Sequence, residues 1–520
     1  MAAEVHPKSP TPGGLHDGPL EAAPPAATTT PAPLAVPTVG WRSVLCQCRA
    51  AAALMFQTLV QGMAQGWSSS GVDKLTHGEG PFPLAPKSPE VSLIVSLFEL
   101  GLLIGSVVSL PVFTHLGRRH TLRLGALFFL ANLLLTYFAT SAGYLYAARL
   151  LSGAGMGVNF TYSSIYLGEL ATPLMRSVLI LVMTILAPSG QLLSFLLAPH
   201  LDYWQLLATP AALLAVCVLL HLLWTPETPY FLTMHGRHQE AEKVLFRLRR
   251  GHDHGLVLLE VASIRGSVER QLSEAQSWRQ TLSPPGVRRG ALIVMVLSSS
   301  PALFGVTTVL SFTKHIFDVA KTPHAWLSSD LVIGVKIVMI FVAMFLVERL
   351  GRRVQLSVTA FINFAAMLAM SAYFLCSHLG VNVTPAEWVP LAALIVFMAS
   401  TGAGVIPVSH ILQGELLSQP AKAIFGQSGS ALDKMLVAPA AAVVLSVSSF
   451  LIQMFFKMVG DSAGYYIPFG VYACTNLFIA LFALLVVPET RGRTLVQVQD
   501  QLRARSLGLS ASRRNLLHIH

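Results

Sequence analysis

The sequence predicts an all-α integral membrane protein, with twelve transmembrane helices arranged as two pseudo-symmetric six-helix bundles. Three observations carry the prediction. Hydrophobic residues make up 53% of the 520 and charged residues only 12%, against roughly 25% charge in a soluble globular domain. Apolar runs of the roughly 20 residues that a bilayer demands recur about twelve times. A small basic peptide, "THLGRRHTL" at Thr114–Leu122, returns as "ERLGRRVQL" at Glu348–Leu356.

In chain order the apolar runs fall near 50–70, 91–113, 121–139, 143–165, 177–199 and 205–224, and then near 289–312, 328–347, 354–376, 389–412, 430–456 and 464–487. Residues 1–40, with "PPAATTTPAPLAVP", are rich in Pro, Ala and Thr and lack the apolar core of a signal peptide. They read as a disordered cytosolic tail with no cleaved signal. Bundles at 41–224 and 289–487 are then joined by a hydrophilic helical linker at 225–288 and followed by a cytosolic tail at 488–520. The net charge of +10 has the sign of a nucleic-acid binder, but Arg42, Arg49, Arg118, Arg119, Arg123, Arg349, Arg352 and Arg353 all flank spans. Basic residues at span ends set orientation, so both termini and the linker are expected in the cytosol and no nucleic acid is expected as partner.

The repeated peptide falls between the second and third run of each half, which marks an internal duplication. Carriers made of two related six-helix halves bind solute near the bilayer midplane and rock about it. In such a carrier the Gly turn lets two helix ends approach, and the paired Arg side chains reach carboxylates on neighbouring helices. No Walker A sequence, zinc-ligand spacing or nucleophile elbow appears. An enzyme is therefore not expected, and no cofactor or metal is called for. Cys46 and Cys48 form a C-x-C at the cytosolic face, open to metal, to lipidation or to no role.

Further motifs carry a resemblance. "RLLSGAGMG" to "YLGELATPLMRS" (Arg149–Ser177), "PETPYFL…GR…EAEKVLFRLR" (Pro226–Arg249), "VERLGRR" and "PETRGRTL" (Pro488–Leu495) resemble the sugar-transporter family of the major facilitator superfamily, especially facilitative glucose and insect trehalose carriers. The likeness extends from Gly62 to Leu495. It implies the major facilitator fold and a facilitative carrier of a small polar solute, most simply a hexose or trehalose, in the plasma membrane. It also implies a gating network in which Arg118, Arg119, Arg176, Arg352 and Arg353 pair with Glu169, Glu227, Glu348, Glu415 and Glu489. Exposed pairs contribute only about 1 kcal/mol each, so a network is needed to bias a state. The first copy carries Thr114 where the family has an acid, and weaker gating contacts are expected there.

The resemblance stops at the substrate. A sugar offers hydroxyls, which amides and an indole recognise. Counted from the motifs, the family's positions for those groups fall here on Thr184, Pro301, Ala302, Thr307, Lys336, Gly402, His410, Asp433 and Val437. Lys336, His410, Asp433, Lys434 and Glu99 are ionisable residues inside spans, where an unpaired charge costs at least about 2.5–3.5 kcal/mol. Two readings stay open: Lys336 and Asp433 pair internally, or Lys336 and His410 receive an anionic or zwitterionic solute. A transport-inactive membrane sensor is the third. Gln191 is a further cavity candidate, and Gln61, Gln65, Trp67 and Ser68 line an outer mouth or merely end a helix. Helix 1 lacks the acid of proton-coupled relatives, for which Glu99 is the available substitute. The sequon at Asn382 lies in an expected exofacial loop, whereas that at Asn159 lies inside a span.

Overall fold

A computed structural model describes residues 40–85, 88–251, 253–273, 285–322, 325–416, 434–490 and 497. The first bundle comprises α1 (Trp41–Thr76), α2 (Pro89–Val108), α3 (Arg118–Tyr137), α4 (Ala142–Leu170), α5 (Pro173–Leu197) and α6 (Tyr203–Leu223). Among the described residues the linker holds α7 (Pro229–Met234), α8 (His238–Leu248) and α9 (His254–Ser273). The second bundle holds α10 (Pro285–Leu303), α11 (Val306–Val319), α12 (Ala325–Leu350), α13 (Arg352–His378), α14 (Val389–Ser400), α15 (Ile406–Leu416), α16 (Lys434–Ala463) and α17 (Tyr466–Leu485). Among the described residues nine helical stretches combine the length and hydropathy of a span. With α3, α4 and α16, of 20, 29 and 30 residues, they make the twelve. α3 opens with Arg118, Arg119 and Arg123 and α4 buries Arg149 and Asn159, which makes these two more polar.

Helix starts follow local chemistry. Ser88 caps α2 by accepting the Glu90 N–H, with Pro89 at the first position, and Asp202 with Gln205 forms a capping box on α6. Two spans read as continuous are broken. The seventh is interrupted before Gly305, which takes a left-handed φ of 84° and starts α11. The tenth contains a π turn at Thr401–Val405 between α14 and α15, the kind of bulge that bends a helix. At its N-terminal end the first span outruns its apolar run, with Gln47 Nε2 donating to Ser43 Oγ and Ser43 Oγ to the Leu248 carbonyl rather than meeting lipid.

Two faces differ. Near the GRR turns each bundle has its own core among the described residues: Leu54, Leu122, Tyr166 and Leu167 in the first, and Leu297, Val347, Leu356 and Leu412 in the second. At the opposite face one core runs through both bundles, from Val72, Leu75, Val95 and Phe195 to Val309, Phe312, Phe456 and Tyr465. The linker belongs with the first bundle, where Arg249 donates to the Leu170 carbonyl at 3.1 Å and holds Glu260 with two hydrogen bonds.

Candidate functional site

The two GRR turns are built alike. Gly117 and Gly351 take φ of 105° and 81°, a conformation that suits glycine. Each glycine also faces a carboxylate from a distant P-E-T segment. Glu227 accepts the Arg118 N–H at 2.9 Å and lies in reach of the Arg119 and Thr228 amides. Glu489 accepts the Arg352 N–H at 3.0 Å and those of Arg353 and Thr490 at 3.1 and 3.2 Å. A Cβ on Gly117 would strike Glu227, and one on Gly351 would sit 2.9 Å from Glu489 Oε2. The two acids therefore cap α3 and α13, where orphan amides and the helix dipole favour an anion. Burial pushes the Glu227 carboxyl above the ordinary value, and the amides of Thr228, Arg119 and Arg118 pull it back. Thr114 donates to the Leu110 and Pro111 carbonyls of its own turn.

Beside this cap the Arg118 guanidinium makes a bidentate pair with Glu169, both bonds at 2.9 Å, and the Thr228 hydroxyl completes the acid's shell. Phe113 and Phe231 cover the guanidinium at 4.4 and 5.1 Å. The Arg119 guanidinium approaches His120, and that of Arg353 donates to the Leu484 carbonyl. Arg176 stands exposed on α5. The side chains of Glu348 and Glu415 lie outside the described set.

Among the described residues, five polar bridges join the bundles at the opposite face. Lys314 Nζ lies 2.9 Å from Asp73 Oδ2, and the Lys314 amide donates to Ser69 Oγ at 3.2 Å. Ser92 Oγ donates to the Met454 carbonyl at 3.3 Å. Gln453 Nε2 donates to Glu99 Oε1 at 3.0 Å, both side chains buried. Gln191 Nε2 donates to the Leu310 carbonyl at 3.3 Å. Lys457, Asp461, His315 and Tyr465 form an adjoining network, with Lys457 Nζ 2.6 Å from Asp461 and 3.2 Å from His315 Nε2.

Of the expected substrate residues, Gln191 is thus a bridge between bundles. Thr307 presents a buried hydroxyl without a hydrogen-bond partner, and Thr184 is exposed and bonded to its own helix. Lys336 is 8% exposed, packs its backbone against Gly402 in the π turn, and makes no hydrogen bond or ion pair with a described residue. The His410 side chain and all of Asp433 fall outside the described residues, so the Lys336–Asp433 pairing does too. Gln61 and Asn159 bond to each other inside the first bundle. Trp67 and Ser68 serve Arg149, which lies under the indole at 5.5 Å and donates to Ser68 Oγ and to the Ala64 carbonyl. Asp73, Lys314 and Gln453 were not singled out from the sequence. Their signal is a charge or amide within a turn or two of the far end of a span.

Two six-helix bundles that share a core at one face and keep separate cores at the other define a membrane protein of the major facilitator fold. Solved structures agree: the E. coli xylose transporter XylE, partially occluded and inward open, superposes with a TM-score of 0.68 at 19% identity, over 86% of this chain and 99% of that one. A D-xylose-proton symporter gives 0.60 at 17% identity, over 88% and 100%. The chain belongs to the sugar (and other) transporter family, whose profile matches residues 51–502. Among its relatives, the facilitated trehalose transporter Tret1 of Drosophila pseudoobscura pseudoobscura is 26% identical over 92% of this chain and 53% of its own length. That of Bombyx mori is 27% identical over 88% and 86%. The chain thus spans about half the length of several relatives it matches.

Proposed function

We propose that this protein is a facilitative carrier of a small polar solute, a sugar such as a hexose or trehalose, working by alternating access in the plasma membrane with the GRR face and both termini in the cytosol. Family membership supports a sugar, and the relatives named above are facilitated trehalose transporters. The carrying observation, among the described residues, is the asymmetry of the seam: one core and five polar bridges at the far face, against a separate core in each bundle at the GRR face. Such an arrangement suits a carrier resting with its outer gate closed, in which a few kcal/mol decide between states. Uptake of labelled trehalose, glucose and a panel of organic acids into proteoliposomes tests this reading. Saturable sugar flux that equilibrates without an ion gradient is expected, and absence of flux for every solute refutes it in favour of a sensor. Glycosylation at Asn382, exposed between α13 and α14, tests the orientation.

Lys336 favours a second reading. A buried ammonium with no described partner suits an acidic or zwitterionic solute, which would supply the missing charge. Saturable organic-acid flux without sugar flux selects it.

A further inference from the structure

Glu99 stands on α2 in the seam between the bundles and is 4% exposed. Its one hydrogen bond with a described residue comes from Gln453 Nε2 on α16, at 3.0 Å, and Gln453 is 1% exposed. The next residue of α16 belongs to the same seam, since the Met454 carbonyl accepts from Ser92 on α2. Two oxygens are left over. Glu99 Oε2 accepts nothing from a described residue, and Gln453 Oε1 is buried without a donor. A buried carboxylate held by one neutral amide is costly, and the charges around Glu99 do not offset it. On α4, Arg149 lies within electrostatic reach. Its guanidinium, however, covers the Phe98 ring at 4.6 Å and donates to Ser68 and the Ala64 carbonyl, with no ion pair to Glu99. On α16, Lys457, one turn beyond Gln453, holds Asp461 at 2.6 Å. Between Arg49 and Asp73, α1 carries no titratable side chain, and α2 carries none besides Glu90 and Glu99.

A carboxylic acid and a carboxamide complement each other twice over: the amide N–H donates to one carboxyl oxygen, and the acid O–H donates to the amide oxygen. The first of these bonds is present, and the two leftover oxygens become donor and acceptor once a proton sits on Glu99 Oε2. We propose that Glu99 and Gln453 form a proton-binding latch, which fastens α2 to α16 across the seam when Glu99 is protonated. The proton neutralises the buried charge and gives Gln453 Oε1 the donor it lacks. This rests on the bundles parting at this seam, as alternating access at the far face requires, and not on the identity of the solute. When they part, water reaches the carboxyl, which ionises and gives its proton to that water. The closed state thus binds one proton more than the open one, so its advantage is present in acid and is lost as pH rises through the titration of the closed pair. Acid holds the far gate shut, and mildly alkaline solution loosens it.

The test follows Ser92→Cys in the full-length protein, with the exposed Cys376 and Cys474 replaced by Ser, as it reacts with an impermeant maleimide at the far face. The same reporter is placed in Glu99→Gln, whose amide carries the donor at every pH. The ratio of the two rates cancels the thiol's own ionisation. Wild type and Glu99→Gln should react equally slowly in acid, and the wild-type rate should pull ahead as pH rises, by at most about tenfold per unit for one proton. Gln453→Met, which leaves Glu99 without its amide, should speed the reaction in acid. Infrared spectra read the proton directly: a protonated-carboxyl stretch should be present in acid and missing from Glu99→Gln. Parallel pH profiles in the two proteins, a Gln453→Met rate in acid no higher than wild type, or spectra in which Glu99→Gln removes no carboxyl band would overturn the proposal. A thiol that reacts at no pH in any of these proteins would mean that the seam does not part, and would sink the latch together with alternating access at this face.

Discussion

Replacing Asp73 with Asn should loosen the far gate by a measurable amount. Lys314 Nζ lies 2.9 Å from Asp73 Oδ2, and the two side chains are 16% and 22% exposed. A hydrogen bond to a charged group contributes about 1.5–3 kcal/mol. Partial exposure discounts it, and Asn keeps an acceptor oxygen, so the closed state should lose about 1–2 kcal/mol, a shift of roughly 5–30-fold in the ratio of states. Ser92 reports the change: it is 4% exposed in the seam, its hydroxyl on the Met454 carbonyl. In a Cys376→Ser background, which removes the exposed thiol at the far end of α13, Ser92→Cys should react with an impermeant maleimide applied at the far face. Adding Asp73→Asn should raise its rate roughly 5–30-fold, and the swap Asp73→Lys with Lys314→Asp should recover part of the protection. An unchanged rate in Asp73→Asn would refute the argument that this ion pair holds the gate.

Three further expectations concern separate parts of the molecule. Glu227→Ala and Glu489→Ala each remove a helix cap and should cost about 0.5–2 kcal/mol, read as a lower unfolding midpoint; Glu227→Gln, which keeps an acceptor, should cost less. Lys336→Asn should abolish most organic-acid flux if the lysine binds substrate; if it pairs with Asp433 instead, it should cost about 3–5 kcal/mol of stability, rescued by adding Asp433→Asn. The Lys74 ammonium, 2.6 Å away, holds the Glu79 carboxyl in the α1–α2 loop below the ordinary value. A lowered carboxylate stabilises the folded state above its unfolded value and loses that contribution as pH falls through the folded one. The difference in midpoint between wild type and Glu79→Gln should therefore be present at neutral pH and vanish in acid.

The duplicated GRR peptide and the apolar runs made the two-bundle fold legible, because hydropathy registers each span independently of its neighbours. The gates were less legible. The first and seventh apolar runs stop near 70 and 312, whereas α1 and α11 continue to Thr76 and Val319. Asp73 and Lys314 therefore counted as loop residues. Transfer scales charge each ion for entering lipid alone, and two ions facing each other across a seam offset that cost. Glu99 was visible as a buried acid, but its partner Gln453 sits 354 positions away, and no local pattern pairs α2 with α16. Glu227 and Glu489, named from the sequence as partners of arginine side chains, also accept the backbone amides of Arg118 and Arg352. The second P-E-T, at the same place after each bundle, was the available signal. Neither the Gly305 break nor the π turn at Thr401–Val405 interrupts the apolar pattern, since both leave the side chains hydrophobic.

The capping acids impose an order on synthesis. The turn at Gly117 cannot receive its carboxylate until Glu227 has left the ribosome, after all six helices of the first bundle. The turn at Gly351 waits in the same way for Glu489, beyond the last helix of the second. Each bundle is thus fastened by the residue that follows it. A nascent chain stalled anywhere between Arg353 and Val487 would carry a finished first bundle and an open second one, with the bare amides of α13 marking it as unfinished.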